Sequence, residues 1–177
     1  MLRIKNINTY YGKVHALKNV SIHVNVGEIV ALIGANGAGK TTVLNSISGI
    51  TPPREGEAIF RGVNILGLPT NQIVKMGISQ IPEGRQIFAP LTVSTNLELG
   101  AYHRYSRKNK PSLKKDIEDV FSFFPILRER RNQIAGTLSG GGAADAGHWQ
   151  GINVKTVSAS TGRAFYGAGP DDQQRYI

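Results

Sequence analysis

The sequence contains no cysteine, and this absence excludes disulfide bonds, thiolate metal sites and cysteine nucleophiles. No apolar run approaches the ~20 residues that are needed to span a membrane. The first eleven residues alternate polar and apolar side chains, which is unlike a secretory signal. We therefore expect a protein that is made and kept in the cytoplasm and that carries out no redox chemistry.

Leucine is missing from the C-terminal part of the sequence. Residues 1–138 contain twelve leucines, whereas the last 39 residues contain none and are dominated by Gly, Ala, Ser and Asp. No apolar period of 2 or 3.6 residues is found in this stretch. Such a composition does not build a packed core, so we expect residues 142–177 to be a disordered or poorly packed tail.

Acidic residues are few: 12 Asp and Glu stand against 21 Lys and Arg, which gives a net charge of +9. The excess is scattered, with dense stretches at 104–115 and 128–131, and no aromatic platform is interleaved with it. This pattern favours solvated faces or a partner-docking surface over a nucleic-acid groove.

The first part of the chain has the order strand, glycine-rich loop and helix. Apolar residues over 2–7 predict an edge strand, and the alternation over Val20–Val26 predicts a half-buried strand. The apolar run Ile29–Ile33 is short enough to be a strand buried on both faces. After the loop, apolar residues recur at helical spacing over Val43–Ile50, with Gly49 near the expected end.

The loop itself matches the P-loop pattern. Its residues are Gly34-Ala35-Asn36-Gly37-Ala38-Gly39-Lys40-Thr41. Glycines let backbone N–H groups approach phosphate oxygens at dihedral angles that a side chain would forbid. Lys40 would reach the β- and γ-phosphates, Thr41 would place its hydroxyl on Mg²⁺, and Thr42 is a second hydroxyl nearby. The alternative, a chance glycine-rich turn, does not explain the flanking strand and helix.

Further elements follow the loop. Short strands are expected at Ala58–Phe60 and Ile78–Ile81. Thr92 can cap a helix that runs to about Tyr102, and a second helix is expected over Leu113–Phe124, stopped by Pro125. The two helices would form a helical arm over about 90–141, for which a plain core-facing helix pair is the alternative. The four histidines have no metal spacing, so we expect them to pack or to lie at the surface.

Several motifs together make residues 1 to about 141 resemble the ATP-binding subunits of ABC transporters. The segment Tyr10-Tyr11-Gly12-Lys13-Val14-His15-Ala16-Leu17 looks like the adenine-stacking loop of that family, with Tyr11 as the aromatic residue that would meet the base. The segment Leu138-Ser139-Gly140-Gly141 looks like the start of the ABC signature, which in the family contacts the γ-phosphate bound by the opposite subunit. Taken alone, a packed tyrosine and an ordinary Ser-Gly-Gly loop are the alternatives.

A third motif falls at Ile81-Pro82-Glu83-Gly84-Arg85-Gln86-Ile87-Phe88, where the family has the loop that senses the γ-phosphate and couples to the membrane partner. Glu83 stands at the position that is usually glutamine, so an acceptor-only carboxylate replaces an amide, and it could help to hold Mg²⁺ or a water. The alternative is a solvated loop carboxylate. The Pro-Glu-Gly-Arg form resembles the subfamily that serves branched-chain amino acid importers, as does Phe124–Arg131.

The resemblance implies an α/β P-loop NTPase fold, that of an ABC nucleotide-binding domain incomplete at the C-terminus. It implies ATP and Mg²⁺ as cofactors, and a second ATP-binding subunit and transmembrane permease subunits as partners. It also implies an indirect link to a solute-binding protein, no nucleic acid, and a place on the cytoplasmic face of the plasma membrane. The implied function is ATP hydrolysis coupled to branched-chain amino acid uptake.

The resemblance ends after the signature. The family continues with a helix and then an apolar strand that ends in an aspartate for Mg²⁺ and a catalytic glutamate, and residues 142–177 contain no such strand. Our hypothesis is a change of reading frame. Read one nucleotide later, codons permitted for Ala143–Val157 spell QQMLAIGRALMSKP, and those for Ala159–Asp171 spell LLLDEPSMGLAP. These are the missing helix and strand.

This tail limits the function that we expect. Without the aspartate, the glutamate and the family's late switch histidine, the chain is expected to bind ATP at most. The alternatives are a defunct fragment with no transport role, a natural divergent tail, and a basic P-loop protein associated with nucleic acid.

Overall fold

A computed structural model describes residues 1–81, 87–105 and 109–138. The chain divides into two compact units, Met1–Gln80 and Ile81–Ile177. No helix in the described part of the chain is both long and apolar enough to cross a bilayer.

Four strands form an antiparallel sheet in the first unit: β1 (Leu2–Tyr11), β2 (Val14–Val24), β3 (Glu55–Phe60) and β4 (Val63–Asn64). Their order in the sheet is β2-β1-β3-β4. The strands expected around Val20 and Ala58 are confirmed. The strand expected at residues 2–7 is confirmed as part of β1, but its expected edge position is wrong, because β1 pairs with β2 on one side and with β3 on the other. Apolar alternation shows which face of a strand is buried, but not how many strands pair with its backbone.

Two helices complete the first unit, α1 (Lys40–Ile47) and α2 (Thr70–Met76). The helix expected after the loop is confirmed in α1. Its end follows from Gly49, which has a φ of 76° and whose N–H donates to the Ser46 carbonyl, while the Ile50 N–H donates to the Asn45 carbonyl. A glycine at this position adopts the left-handed conformation without the steric cost of a Cβ.

Two other strand predictions are wrong. The segment Ile29–Ile33 has no strand structure, and Ile29 and Ile33 are 73% and 95% exposed. Ile78–Ile81 likewise forms no strand. A strand buried on both faces needs paired neighbours and covering helices, and none of the described strands pairs with either segment. The apolar composition was read correctly, but the partners that it requires are not among the described residues.

The core of the first unit lies between one face of the sheet and α1. Its buried members come from three strands, from α1 and from the segment after β4: Ile4, Ile7, Leu17, Val43, Ala58, Phe60 and Ile65. A buried hydrogen bond crosses the same interface, because the hydroxyls of Thr9 on β1 and Ser46 on α1 lie 2.9 Å apart. The helix that follows the loop is therefore fixed to β1.

The second unit is helical in its described part, with α3 (Val93–Gly100), α4 (Lys110–Phe123) and α5 (Pro125–Glu129). Thr92 caps α3 as expected, accepting a hydrogen bond from the Thr95 N–H at 3.2 Å. α3 ends at Gly100, shortly before the expected Tyr102. Pro125 stops α4 as expected and also opens α5, because a proline at the first helical position loses no hydrogen bond.

The described helices of the second unit share one apolar core. Its buried members are Val93, Leu97, Ala101, Leu113, Ile117, Val120, Phe121, Leu127, Ala135 and Leu138. Buried Asn96 also holds the segment before α3, since its side chain bonds both the N–H and the carbonyl of Phe88.

Candidate nucleotide site

The glycine-rich loop lies directly before α1, and two of its glycines have the backbone conformation that the motif requires. Gly37 and Gly39 have φ angles of 83° and 90°. A Cβ on Gly39 would also lie 2.8 Å from Cδ2 of buried Leu17 on β2. Gly39 is thus fixed both by its dihedral angle and by close approach to the sheet, as expected of a loop that must present its backbone to a ligand.

The Lys40 ammonium is bonded to the first two residues of this loop. Its Nζ donates hydrogen bonds to the carbonyl oxygens of Gly34 at 2.7 Å and of Ala35 at 2.9 Å. These contacts use two of the three donors of an ammonium group and leave one for another acceptor. The loop thus contains a positioned cation whose remaining donor suits an anionic oxygen.

The first turn of α1 adds to this positive environment. The helix has Gly39 as its N-cap, and among the described residues no side-chain capping hydrogen bond is formed there. The first N–H groups of a helix have no partner within it and carry the positive end of its dipole, so they suit phosphate oxygens. Asn36 and Ala38 are exposed residues of the same loop, and the Ala38 N–H donates to the Ala35 carbonyl at 3.1 Å.

The two threonines of this turn differ in environment. The Thr41 side chain is exposed, as a residue offering its hydroxyl to a metal ion must be, whereas Thr42 is 9% exposed and faces the unit's interior. The Ser46 hydroxyl donates to the Thr42 carbonyl at 2.8 Å, which supports the first turn from below. Of the two threonines, Thr41 is accessible to a ligand, whereas Thr42 has a supporting role.

Tyr11 lies at the end of β1 beside the same helix, with 46% of its surface exposed. Hydrogen bonds from Thr51, and then from Asn45 and Thr42, lower the pKa of the Tyr11 hydroxyl against a smaller opposing effect of burial. The hydroxyl is therefore held by α1 and by the turn that follows it, while part of the residue remains open. A tyrosine held at its polar end presents an aromatic surface suited to stacking.

These residues fit a nucleoside triphosphate with Mg²⁺. Positive φ angles, a cation bonded to loop carbonyls and an uncapped helix start all suit phosphate oxygens. The described residues contain no cluster of three or more His, Asp or Glu that could hold a metal ion by itself. The exposed Thr41 hydroxyl and the oxygens of a bound phosphate are of the type that suits Mg²⁺.

Several residues expected at the site lie outside the described residues: Glu83, Ser139, Gly140 and Gly141. Asn45 and Thr51, which hold the Tyr11 hydroxyl, were not predicted. Asn45 follows Thr42 by three residues, so helical spacing placed it on the same face and could have identified it. Thr51 lies in the turn after α1, and no local pattern indicated its contact.

Comparison with known proteins agrees with the nucleotide site described above. The ABC transporter family model matches residues 17–146. The chain is 43% identical over 141 residues to the high-affinity branched-chain amino acid transport ATP-binding protein BraG of Pseudomonas aeruginosa, covering 80% of this chain and 59% of that protein. It is 37% identical to the probable branched-chain amino acid transport ATP-binding protein LivF of Archaeoglobus fulgidus, covering 80% of this chain and 58% of that protein. The chain thus spans less than two thirds of the length of these relatives.

Solved structures agree on the fold. A nucleotide-free ATP-binding cassette from an ABC transporter superposes with a TM-score of 0.70 at 29% identity, covering 88% of this chain and 65% of that one. A dimeric cassette bound to ADP and Pi superposes with a TM-score of 0.70 at 25% identity, covering 88% of this chain and 70% of that one. The expected α/β P-loop fold of an ABC ATP-binding cassette is confirmed over this part of the cassette, and the chain belongs to the ABC transporter family.

Proposed function

We propose that this chain binds ATP and Mg²⁺ as the ATP-binding subunit of an ABC importer for branched-chain amino acids. The observation that carries the proposal is the placement of Lys40, bonded to the Gly34 and Ala35 carbonyls at the uncapped start of α1. The names of the two relatives given above support the choice of substrate class.

Each residue expected at the site then has a role. The amides of the loop 34–39, apart from that of Ala38, which bonds to Ala35, and those of the first turn of α1 hold phosphate oxygens, and Lys40 neutralises their charge. Thr41 binds Mg²⁺, which in turn neutralises the phosphates and orients them. The Tyr11 ring stacks on the base. Ser139, Gly140 and Gly141 would face the triphosphate of a second ATP-binding subunit, and Glu83 would sense the γ-phosphate or contribute to the metal site.

The wider assembly is also a proposal. Two ATP-binding subunits would drive transmembrane permease subunits on the cytoplasmic face of the plasma membrane, and a solute-binding protein would deliver the amino acid. For this chain we propose that ATP is bound but is not hydrolysed efficiently. Positioning and electrostatics around the phosphates supply most of the catalysis in phosphoryl transfer, and the sequence of residues 142–177 contains no apolar run that ends in an acidic pair to orient Mg²⁺ and water.

Calorimetric titration with ATP and Mg²⁺ tests the binding, with Lys40→Ala as the site variant and Lys18→Ala, an exposed lysine of β2, as its control. Losing a charge-assisted hydrogen bond costs about 1.5–3 kcal/mol, so Lys40→Ala should weaken binding by about 10- to 150-fold. Lys18→Ala should bind like the unmodified chain. Equal binding by all three proteins would exclude the P-loop as the site.

Phosphate release, measured on the same three proteins, tests the proposal that the chain does not hydrolyse ATP efficiently. We expect turnover near the uncatalysed background. Robust hydrolysis that Lys40→Ala abolishes would show that this chain is a working ATPase, and would contradict the proposal that it only binds.

A further inference from the structure

Arg54, in the segment that leads into β3, contacts the chain on both sides of Tyr11. One guanidinium nitrogen donates to the Gly12 carbonyl at 3.0 Å, and the guanidinium carbon lies 4.6 Å from the centroid of the Tyr10 ring. The Arg54 backbone N–H donates to the Asn8 carbonyl at 2.9 Å, so the residue is itself anchored to β1. One side chain thus holds the residue before Tyr11 and the residue after it.

The Tyr10 ring is also held from β2. His15 stacks on it, with ring centroids 4.1 Å apart and planes at 16°. His15 Nε2 lies 2.9 Å from Asn8 Oδ1, which also accepts a hydrogen bond from the Asn19 N–H. Because this oxygen can only accept, Nε2 of His15 is the donor. Arg54, Tyr10 and His15 therefore form a fixed group beside the turn between β1 and β2.

Tyr11 lies on the other side of the strand from this group. Its hydroxyl bonds residues of α1 and Thr51, whereas Tyr10 contacts Arg54 and His15, as expected for consecutive residues of a strand. Thr51 and α1 therefore contact the Tyr11 hydroxyl, whereas Arg54 contacts the residue before Tyr11 and the residue after it.

We propose that Arg54 is a positioning residue that fixes the β1–β2 turn so that Tyr11 presents its ring to the base of the bound nucleotide. This inference rests on the proposed nucleotide site. It gives a specific expectation, because the Lys40 contacts to Gly34 and Ala35 do not involve Arg54. Loss of Arg54 should weaken recognition of the base and leave recognition of the phosphates intact.

The experiment compares ATP with tripolyphosphate, which has the phosphates but no base, each with Mg²⁺. The variants are Arg54→Ala, Arg54→Lys and Tyr11→Ala. The control is Arg3→Ala, which removes an exposed guanidinium from the opposite end of β1, where it pairs with Glu57 at 3.1 Å. The dissociation constant of each ligand is measured for each protein, and circular dichroism confirms that each is folded. A purely electrostatic effect of losing one positive charge would weaken both ligands.

Stacking of one base on an aromatic side chain is worth about tenfold in affinity. We expect Tyr11→Ala to weaken ATP by about tenfold and Arg54→Ala by about three- to fivefold, with tripolyphosphate unchanged for both. Arg54→Lys should recover part of the loss, because an ammonium can still lie over Tyr10 but lacks the planar fork that reaches Gly12.

Three outcomes overturn the inference. If Arg54→Ala behaves like Arg3→Ala while Tyr11→Ala selectively weakens ATP, Arg54 has no positioning role and the nucleotide site stands. If Arg54→Ala weakens both ligands equally, its effect is electrostatic. If Tyr11→Ala does not discriminate between the ligands, Tyr11 does not recognise the base, and the inference fails with that part of the proposed function.

Discussion

Replacing Gly49 with alanine tests how closely the end of α1, the helix that carries Lys40 and Thr41, is packed. A Cβ on Gly49 would lie 2.8 Å from Cδ1 of Ile73 and 3.1 Å from the carbonyl oxygen of Leu68. Ile73 is 1% exposed and the second contact is backbone, so neither atom can move away freely. The φ of 76° is unfavourable for alanine as well.

Gly67→Ala separates these two effects. Gly67 has nearly the same φ, 75°, but a Cβ there would meet nothing within 4 Å. The left-handed conformation costs a non-glycine residue about 1–2 kcal/mol, and the lower entropy of the unfolded chain returns about 0.4–1 kcal/mol. Both variants share these terms, so Gly67→Ala should lower the free energy of unfolding by about 1 kcal/mol. The steric contacts add about 1–3 kcal/mol for Gly49→Ala alone.

Urea unfolding followed by circular dichroism measures the difference. With an m-value of about 2 kcal/mol/M, the midpoint of Gly49→Ala should lie roughly 0.5–1.5 M below that of Gly67→Ala. The unmodified chain should have the highest midpoint. Equal midpoints for the two variants would refute the close packing of Gly49 against Ile73 and the α1 geometry that depends on it.

Three further predictions concern other parts of the chain. Ile33→Lys should reduce self-association, measured by light scattering, because Ile33 is 95% exposed in an uncharged apolar segment. Val63→Lys on β4 is the control and should not reduce it. Equal scattering by the two variants would contradict this prediction. Thr51→Val should raise the pKa of Tyr11 toward its ordinary value, because the substitution removes the main hydrogen bond that lowers that pKa. Carbon NMR of the Tyr11 ring measures the pKa, and an unchanged pKa would contradict the contact with Thr51. Sequencing the encoding DNA should show codons for the family's helix and acidic strand one nucleotide out of frame after about codon 142. A gene corrected at that point should yield a chain that releases phosphate from ATP. A shifted frame without those two segments would refute the hypothesis of a changed reading frame.

Local patterns predicted the elements whose stability is local. The spacing of apolar residues and a capping threonine identified α1, α3 and α4, since helical hydrogen bonds and caps lie within a few residues of each other. The segment Ile29–Ile33 depends instead on contacts that are distant in sequence. Its five apolar residues fit a buried strand, but a strand forms only against partners distant in sequence, and no described strand pairs with it.

The candidate site likewise combines residues that a local pattern predicts with residues that only the tertiary structure brings together. The glycines and Lys40 were predicted because the phosphate-binding loop is one continuous segment whose backbone conformation is set by its own residues. The surroundings of Tyr11 were not predicted. Arg54 contacts the neighbours of Tyr11 and Thr51 contacts its hydroxyl only because β3 pairs with β1 and α1 packs on the sheet. Contacts of this kind depend on tertiary structure and leave no periodic signal in the sequence.

The most direct test of the central claim is to locate ATP on the chain by amide NMR. Labelled protein titrated with ATP and Mg²⁺ should show its largest chemical-shift changes at the amides of residues 34–42 and at Tyr11, with little change at Gly67, which lies in a turn outside the loop. Shift changes centred instead on the exposed lysines of α4, Lys110, Lys114 and Lys115, with none in the loop, would show that binding follows the net positive charge and would contradict the account.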